Sequence, residues 1–177
     1  CAGAEAFVVT TPEIAAKRGL PAASVLATIE RHNAFPDDPV QLRGGWKMDI
    51  DTFWTSAGIG PADVDALQVY DDYPVIVAMQ IEDLAFCGKG QVADFIRRTS
   101  FDIVGDLPLN TNGGQLSAGQ AGAAGGFQNV TEALRQITGQ PLGDQIPNAE
   151  IAVASGFGLV NYDRGVCTGA VALRTQR

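Results

Sequence analysis

The feature that most constrains this chain is the stretch from Asn110 to Gly126, which carries glycine at 113, 114, 119, 122, 125 and 126 and runs directly into an amphipathic segment. Removing that many side chains permits left-handed backbone and lets another backbone or a ligand approach closely. Downstream, Phe127, Val130, Leu134 and Ile137 recur on one helical face, Arg135 lies late and Gly139 sits just past the end, which together predict a helix over Gly119 to Thr138. A helix start behind a glycine loop presents free N–H groups that suit an anionic group or a developing oxyanion. The plainer alternative is a strand-to-helix turn built for tight packing.

The remaining pattern interleaves short strands with helices. Strands are expected at Ala4 to Thr10, Ser24 to Glu30, Ala66 to Tyr70, Glu150 to Ala154 and Gly169 to Arg174. Helices are expected at Pro12 to Arg18, Ile50 to Ala57, Pro74 to Phe86 and Val92 to Arg98, besides the one already named. That alternation implies an α/β fold, a mixed sheet covered by helices on both faces. At 177 residues and 46% hydrophobic content the chain can bury one core, so residues 1–177 are expected to be a single domain. The segment Asn33 to Lys47 holds two prolines and two glycines and reads as a flexible insertion.

Twenty acidic against 12 basic residues, a net charge of −8, argue against a nucleic-acid partner and against a membrane surface. No apolar run reaches the length of a membrane span and no leader is evident, so a cytoplasmic protein is expected. The cysteines at 1, 87 and 167 show no metal-ligand spacing, and their odd number suggests reduced thiols.

Several blocks resemble the C-terminal half of the thiolase superfamily. Asn112-Gly113-Gly114 stands at the family's Asn-x-His-Gly-Gly block, and Gly119-Gln120-Ala121-Gly122 with Gly125 at its Gly-His-Pro block. Cys1 to Thr10 is similar to the opening strand of that half, and Gly58 to Asp65 to its Gly-x-x-Pro-x-Asp turn. Val69 to Tyr73 falls where thiolases carry Asn-Glu-Ala-Phe and sterol-carrier-type relatives carry His-Asp-Cys-Phe. Cys167-Thr168-Gly169 resembles the terminal Cys-x-Gly block. The likeness spans the chain and favours the sterol-carrier and lipid-transfer branch. It implies that the nucleophile-bearing N-terminal half lies outside this sequence, and a chain opening on Cys1 suits a processed or partial product.

Thiolysis needs acid/base groups near neutral pH and an oxyanion hole. The resemblance implies that two histidines of this half supply them, yet the one histidine, His32, lies outside every matching block. Asn112 and Gln120 donate hydrogen bonds but do not exchange protons. A retro-aldol cleavage of a 3-hydroxyacyl-CoA, the chemistry of some lipid-transfer relatives, needs no acyl-cysteine. For it, Asn112 is expected as oxyanion donor and Tyr70 as the proton-transfer residue, with Tyr73 and Tyr162 as lesser candidates and a tyrosine pKa that must be tuned down. Cys167 is the candidate acid/base cysteine of the terminal block, although a shift by one residue puts Val166 there. Gly113, Gly114, Gln120 and Asp71 are expected to line the substrate site.

Each assignment has a plainer reading. Tyr70 and Tyr73 can be strand-end aromatics, Tyr162 a surface turn, Asp71 and Asp72 solvated or capping groups, Cys87 a small buried hydrophobe, and His32 a surface residue. Two further functions compete with the retro-aldol reading: a conventional acetyl-CoA C-acyltransferase, and a non-catalytic acyl-CoA-binding or scaffold domain. The expected partners are an acyl-CoA substrate, the absent N-terminal half, a second copy in a homodimer and a zinc-ribbon/OB-fold acyl-CoA-binding protein. No metal and no cofactor beyond the coenzyme A thioester is expected. Arg43, Lys47, Lys89, Arg97 and Arg98 are available for its phosphates.

Overall fold

The computed structural model describes residues 1–122, 125–161 and 164–176. The first helix, α1 (Pro12–Arg18), forms because Thr11 caps it, Pro12 opens it with a preset φ, and Gly19 closes it at φ 61°. Strand β1 (Ala22–His32) follows. After a loop comes α2 (Trp46–Ala57), whose Trp46, Ile50, Phe53, Trp54 and Ala57 fall on one face and are all buried. Burying side chains of that size stabilises the fold by about 2 kcal/mol each. Strand β2 (Ala66–Gln68) leads into α3 (Pro74–Asp83), followed by α4 (Val92–Arg98), α5 (Gly114–Ala118) and α6 (Gly125–Ile137). A long pair, β3 (Ile151–Asn161) and β4 (Arg164–Gln176), ends the described chain.

The four strands form one mixed sheet in the order β1-β4-β3-β2, with β1/β4 and β3/β4 antiparallel and β2/β3 parallel. Because neighbouring residues on a strand face opposite ways, each strand feeds two cores. One face, through Leu67, Val153 and Ala172, packs against Trp46, Phe53 and Ile81 of α2 and α3. The other, through Ala66, Ala152, Ala154 and Leu173, packs against Ala133 and Ile137 of α6. The expected α/β sheet with helices on both faces is therefore the fold observed.

Three local expectations are corrected. Ala4 to Thr10 is not a strand; the segment has no regular secondary structure, with Val8 and Val9 exposed, Phe7 against the Phe127 ring and Glu5 paired with Arg135. Its Val-rich composition fits a sheet surface, but no strand edge lies beside it to complete the ladder. The helix expected over Gly119 to Thr138 starts later, as α6 at Gly125, and a separate short helix, α5, ends before Gly119. The chain breaks at Gly119 and Gly122, whose φ values of 95° and 55° no right-handed helix contains. The segment Asn33 to Lys47 is tied down. Arg43 grips the Asp38 carboxylate with two hydrogen bonds, and Arg164 donates to the carbonyls of Phe35, Pro36 and Asp38.

Candidate active site

Beyond β2 the chain stays extended for two residues, held by side chains acting as substitute strands. Asn110 Oδ1 accepts from the Val69 N–H at 2.7 Å and its Nδ2 donates to the Val69 carbonyl at 3.0 Å. Gln80, fully buried on α3, does the same for Tyr70: Nε2 donates to the Tyr70 carbonyl at 2.6 Å and Oε1 accepts from the Tyr70 N–H at 3.3 Å. The same Oε1 accepts from the Ser155 hydroxyl of β3 at 2.5 Å. One amide therefore fixes the backbone of Tyr70 to both α3 and β3.

The Tyr70 side chain rests 6.2 Å, ring to ring, from Phe157, and its hydroxyl accepts from Gln120 Nε2 at 3.3 Å. Burial raises the phenol pKa above its ordinary value, with the Gln120 hydrogen bond opposing and the Asp72 carboxylate adding to the rise. Tyr70 is thus protonated at neutral pH, the reverse of the downward tuning expected from the sequence.

Asp71, almost fully buried, turns toward the glycine loop, where Oδ1 accepts from the Gln115 N–H at 2.7 Å. Gly114 is required there: its φ is +62°, and a Cβ on it would lie 2.6 Å from Asp71 Cγ. Asn112 Oδ1 accepts from the Gly114 N–H at 2.9 Å, which closes an Asx turn and leaves the side-chain NH₂ outside that hydrogen bond. Among the described residues that NH₂ has no partner. Gln68, Thr111, Glu132 and Gln136 extend the network beneath: Thr111 bridges Gln68 Nε2 at 3.1 Å to the Glu132 carboxylate at 2.6 Å. Asp71, Asn112, Gly113 and Gly114 are therefore gathered around the first turn of α5, and Tyr70 meets Gln120 just past its other end. Together they offer a neutral phenol, amide donors and no imidazole.

The other candidates lie apart. Thr168 packs beside Gly44 and Gly45 on the α2 side of β4, so Cys167, the preceding residue, faces the opposite side. There Cys167 Sγ lies 3.7 Å from His32 Nε2, and no hydrogen bond or ring contact among the described residues joins it to Tyr70 or Asn112. Tyr73 is exposed, Cys87 packs half-buried against the α2 core, and Tyr162 lies outside the described residues. Of the basic residues, Arg43, Lys89 and Arg97 are already paired with Asp38, Glu82 with Asp83, and Asp94, while Arg98 covers the Phe95 ring. Sequence reasoning missed Gln80 and Ser155, which carry no local signal, and Asn129, whose Nδ2 donates to the Ser155 carbonyl at 3.2 Å. Two clefts flank this region, one beside Asn129 of about 120 Å³ and one between the N-terminal segment and α5 of about 110 Å³. Both are small against the ~300–1,000 Å³ of a ligand pocket.

A family model described as "Thiolase C-terminal domain-like" matches residues 45–167. The 17-hydroxy-3-oxo-4-pregnene-20-carboxyl-CoA lyase of Mycobacterium tuberculosis is 36% identical over 106 residues, 60% of this chain and 27% of that protein. A steroid side-chain-cleaving aldolase of Thermomonospora curvata is 34% identical over 106 residues, 60% of this chain and 26% of its own. Sterol carrier protein 2 of Rattus norvegicus is 26% identical over 165 residues, 89% of this chain and 30% of that one. In fold, the chain is similar to a chain of the solved "Ltp2-ChsH2(DUF35) aldolase", with a TM-score of 0.73 and 24% identity, over 89% of this chain and 40% of that one. The chain thus spans roughly a third or less of the length of these curated relatives.

Proposed function

Because this chain belongs to the thiolase C-terminal domain-like family, we propose that it is the C-terminal half of an acyl-CoA carbon–carbon bond enzyme that cleaves a 3-hydroxyacyl-CoA by a retro-aldol reaction in lipid or steroid side-chain metabolism. The observation that carries the reading is Tyr70, a protonated phenol held at the glycine loop where no histidine stands. The names of two relatives, a lyase and a steroid side-chain-cleaving aldolase, support the reaction type.

In this reaction a base removes the proton of the 3-hydroxyl, the oxygen electrons form a carbonyl, and the C2–C3 bond breaks. Its electron pair passes to the thioester enolate, which takes a proton at C2 to give a shortened acyl-CoA. The Asn112 NH₂ donates to the enolate oxygen and Tyr70 delivers the proton to C2, drawing its replacement from the base. Gly113, Gly114, Asp71 and Gln120 shape the loop that holds these donors. Cys167, on the far face of β4, takes no part in this assignment. On this reading the acyl-CoA site is completed by an N-terminal half, which the small clefts of this chain support, and by an acyl-CoA-binding partner of the zinc-ribbon/OB-fold type. The solved relative, whose name pairs Ltp2 with ChsH2(DUF35), supports such a partner.

The test uses the full-length protein expressed from its native gene, with and without a co-expressed partner of that type. Incubation with a steroid-side-chain 3-hydroxyacyl-CoA should yield a shortened acyl-CoA and a ketone or aldehyde, detected by mass spectrometry without added free coenzyme A. Cleavage of a 3-oxoacyl-CoA only when free coenzyme A is supplied would establish thiolysis instead.

A further inference from the structure

His32 and Cys167 are direct cross-strand partners in the β1/β4 ladder, and Glu30 lies two residues earlier on the same face of β1. Glu30 Oε1 is 2.6 Å from His32 Nε2, and that nitrogen is 3.7 Å from Cys167 Sγ. One ligand atom from each residue lies within 4.8 Å of the other two. We propose that Glu30, His32 and Cys167 form a zinc site across the paired strands β1 and β4.

The geometry fits the ion. Zinc–sulfur and zinc–nitrogen bonds of ~2.3 and ~2.0 Å at a tetrahedral angle set the two ligand atoms about 3.5 Å apart, against 3.7 Å here. The carboxylate and imidazole must open from hydrogen-bond distance to about 3.3 Å, a small rotation for a Glu30 side chain that is 70% exposed. The donor set, one thiolate, one imidazole and one carboxylate, suits a borderline-soft ion and leaves the fourth position to water. Space for both exists, because Gly158 stands opposite Cys167 on β3 and a Cβ there would meet nothing within 4 Å.

No cation competes for the site. Arg31 points to the other face of β1, where Asp49 binds it, and among the described residues no lysine or arginine pairs with Glu30. Burial and the Glu30 charge raise the Cys167 thiol pKa, so at neutral pH the metal-free thiol keeps its proton. Glu30 and His32 are the titratable groups facing it, Gly158 contributing none from β3. Binding must release that proton, and affinity must therefore rise with pH.

The experiment titrates the metal-free full-length protein with Zn²⁺ against a chromophoric chelator, and with Co²⁺ as a spectroscopic probe. One Zn²⁺ per chain is expected to be lost in Cys167→Ser and in His32→Gln, each weakening that equivalent at least 100-fold, since even outer-shell partners are worth 10–100-fold. The Co²⁺ form should show a thiolate charge-transfer band that disappears in Cys167→Ser and persists in Cys87→Ser. Glu30→Gln, a change on an exposed side chain that leaves the ladder intact, should weaken binding at least tenfold. Unchanged binding in His32→Gln, or Glu30→Gln binding equal to wild type, would reduce the site to an isolated thiol and overturn the proposal. So would the absence of any Zn²⁺ equivalent sensitive to Cys167.

Discussion

Gly114→Ala tests whether the Asp71 carboxylate and the glycine loop are one interlocked unit. The backbone at 114 has φ +62°, and a left-handed residue with a Cβ costs ~1 kcal/mol or more. The new Cβ would also sit 2.6 Å from Asp71 Cγ, so the carboxylate must leave its 2.7 Å hydrogen bond to the Gln115 N–H. A buried, charge-assisted hydrogen bond of this kind contributes ~1.5–3 kcal/mol. The two effects add to about 3–4 kcal/mol. Asp71→Ala removes the hydrogen bond alone and should cost about 2 kcal/mol. In the double variant that hydrogen bond is lost only once, so its cost should fall short of the sum of the singles by about 2 kcal/mol. Urea denaturation of the full-length protein, followed by a near-ultraviolet signal and by turnover, measures all four corners of the cycle. Additivity within about 0.5 kcal/mol, or a Gly114→Ala cost below about 1 kcal/mol, would refute the interlock.

Other outcomes follow from the same geometry. Tyr70→Phe should lower turnover about 10²–10⁴-fold while leaving substrate binding within a few-fold, as read by single-turnover kinetics and equilibrium binding. Its raised pKa keeps the proton-donating form in place through neutral pH, so the rate should hold level there and fall only as pH climbs past the phenol's own value. Asn112→Ala should cost ~3 kcal/mol of transition-state stabilisation with little change in melting temperature, because its side chain closes only a local turn. Gln80→Ala strips the Tyr70 N–H and C=O and the Ser155 hydroxyl of one shared partner. It should destabilise the fold by about 3 kcal/mol in thermal unfolding and lower turnover as well.

What local chemistry determines was legible. Helix α1 matches the Thr11-Pro12…Gly19 punctuation residue for residue, since caps and φ preferences act over one turn, and α4 coincides with its expected bounds. Some of the neighbourhood was legible too: Asp71 and Asn112 bond to the Gly114–Gln115 backbone, and Tyr70 bonds to Gln120. Other features needed long-range partners. Strands β3 and β4 run well past the expected segments, through Gly156 and Gly158 in β3 and Gly165 in β4, where cross-strand pairing carries residues that show no side-chain periodicity. Gln80 gave no signal because its partners Tyr70 and Ser155 lie 10 and 75 residues away. His32 and Cys167, separated by 135 residues, meet only through the β1/β4 register.

The protonation state of Tyr70 decides which half of the proposed reaction this chain serves. A phenol of ordinary pKa near 10 is ionised to only about one part in a thousand at pH 7, so drawing it as the base costs about 4 kcal/mol before any bond breaks. Burial and the Asp72 charge increase that cost. As an acid the same phenol pays nothing to reach its reactive form, with Gln120 donating to the hydroxyl oxygen and the Asp72 carboxylate favouring the protonated state. The amides gathered beside it, Asn112, Gln115 and Gln120, do not titrate and contribute only donors and acceptors. In the proposed reaction, a loop of this composition would stabilise the developing enolate and return a proton to carbon. Under that proposal, the group taking the proton from the 3-hydroxyl would stand outside the Tyr70, Asn112 and Gln120 cluster, in the N-terminal half or a partner protein.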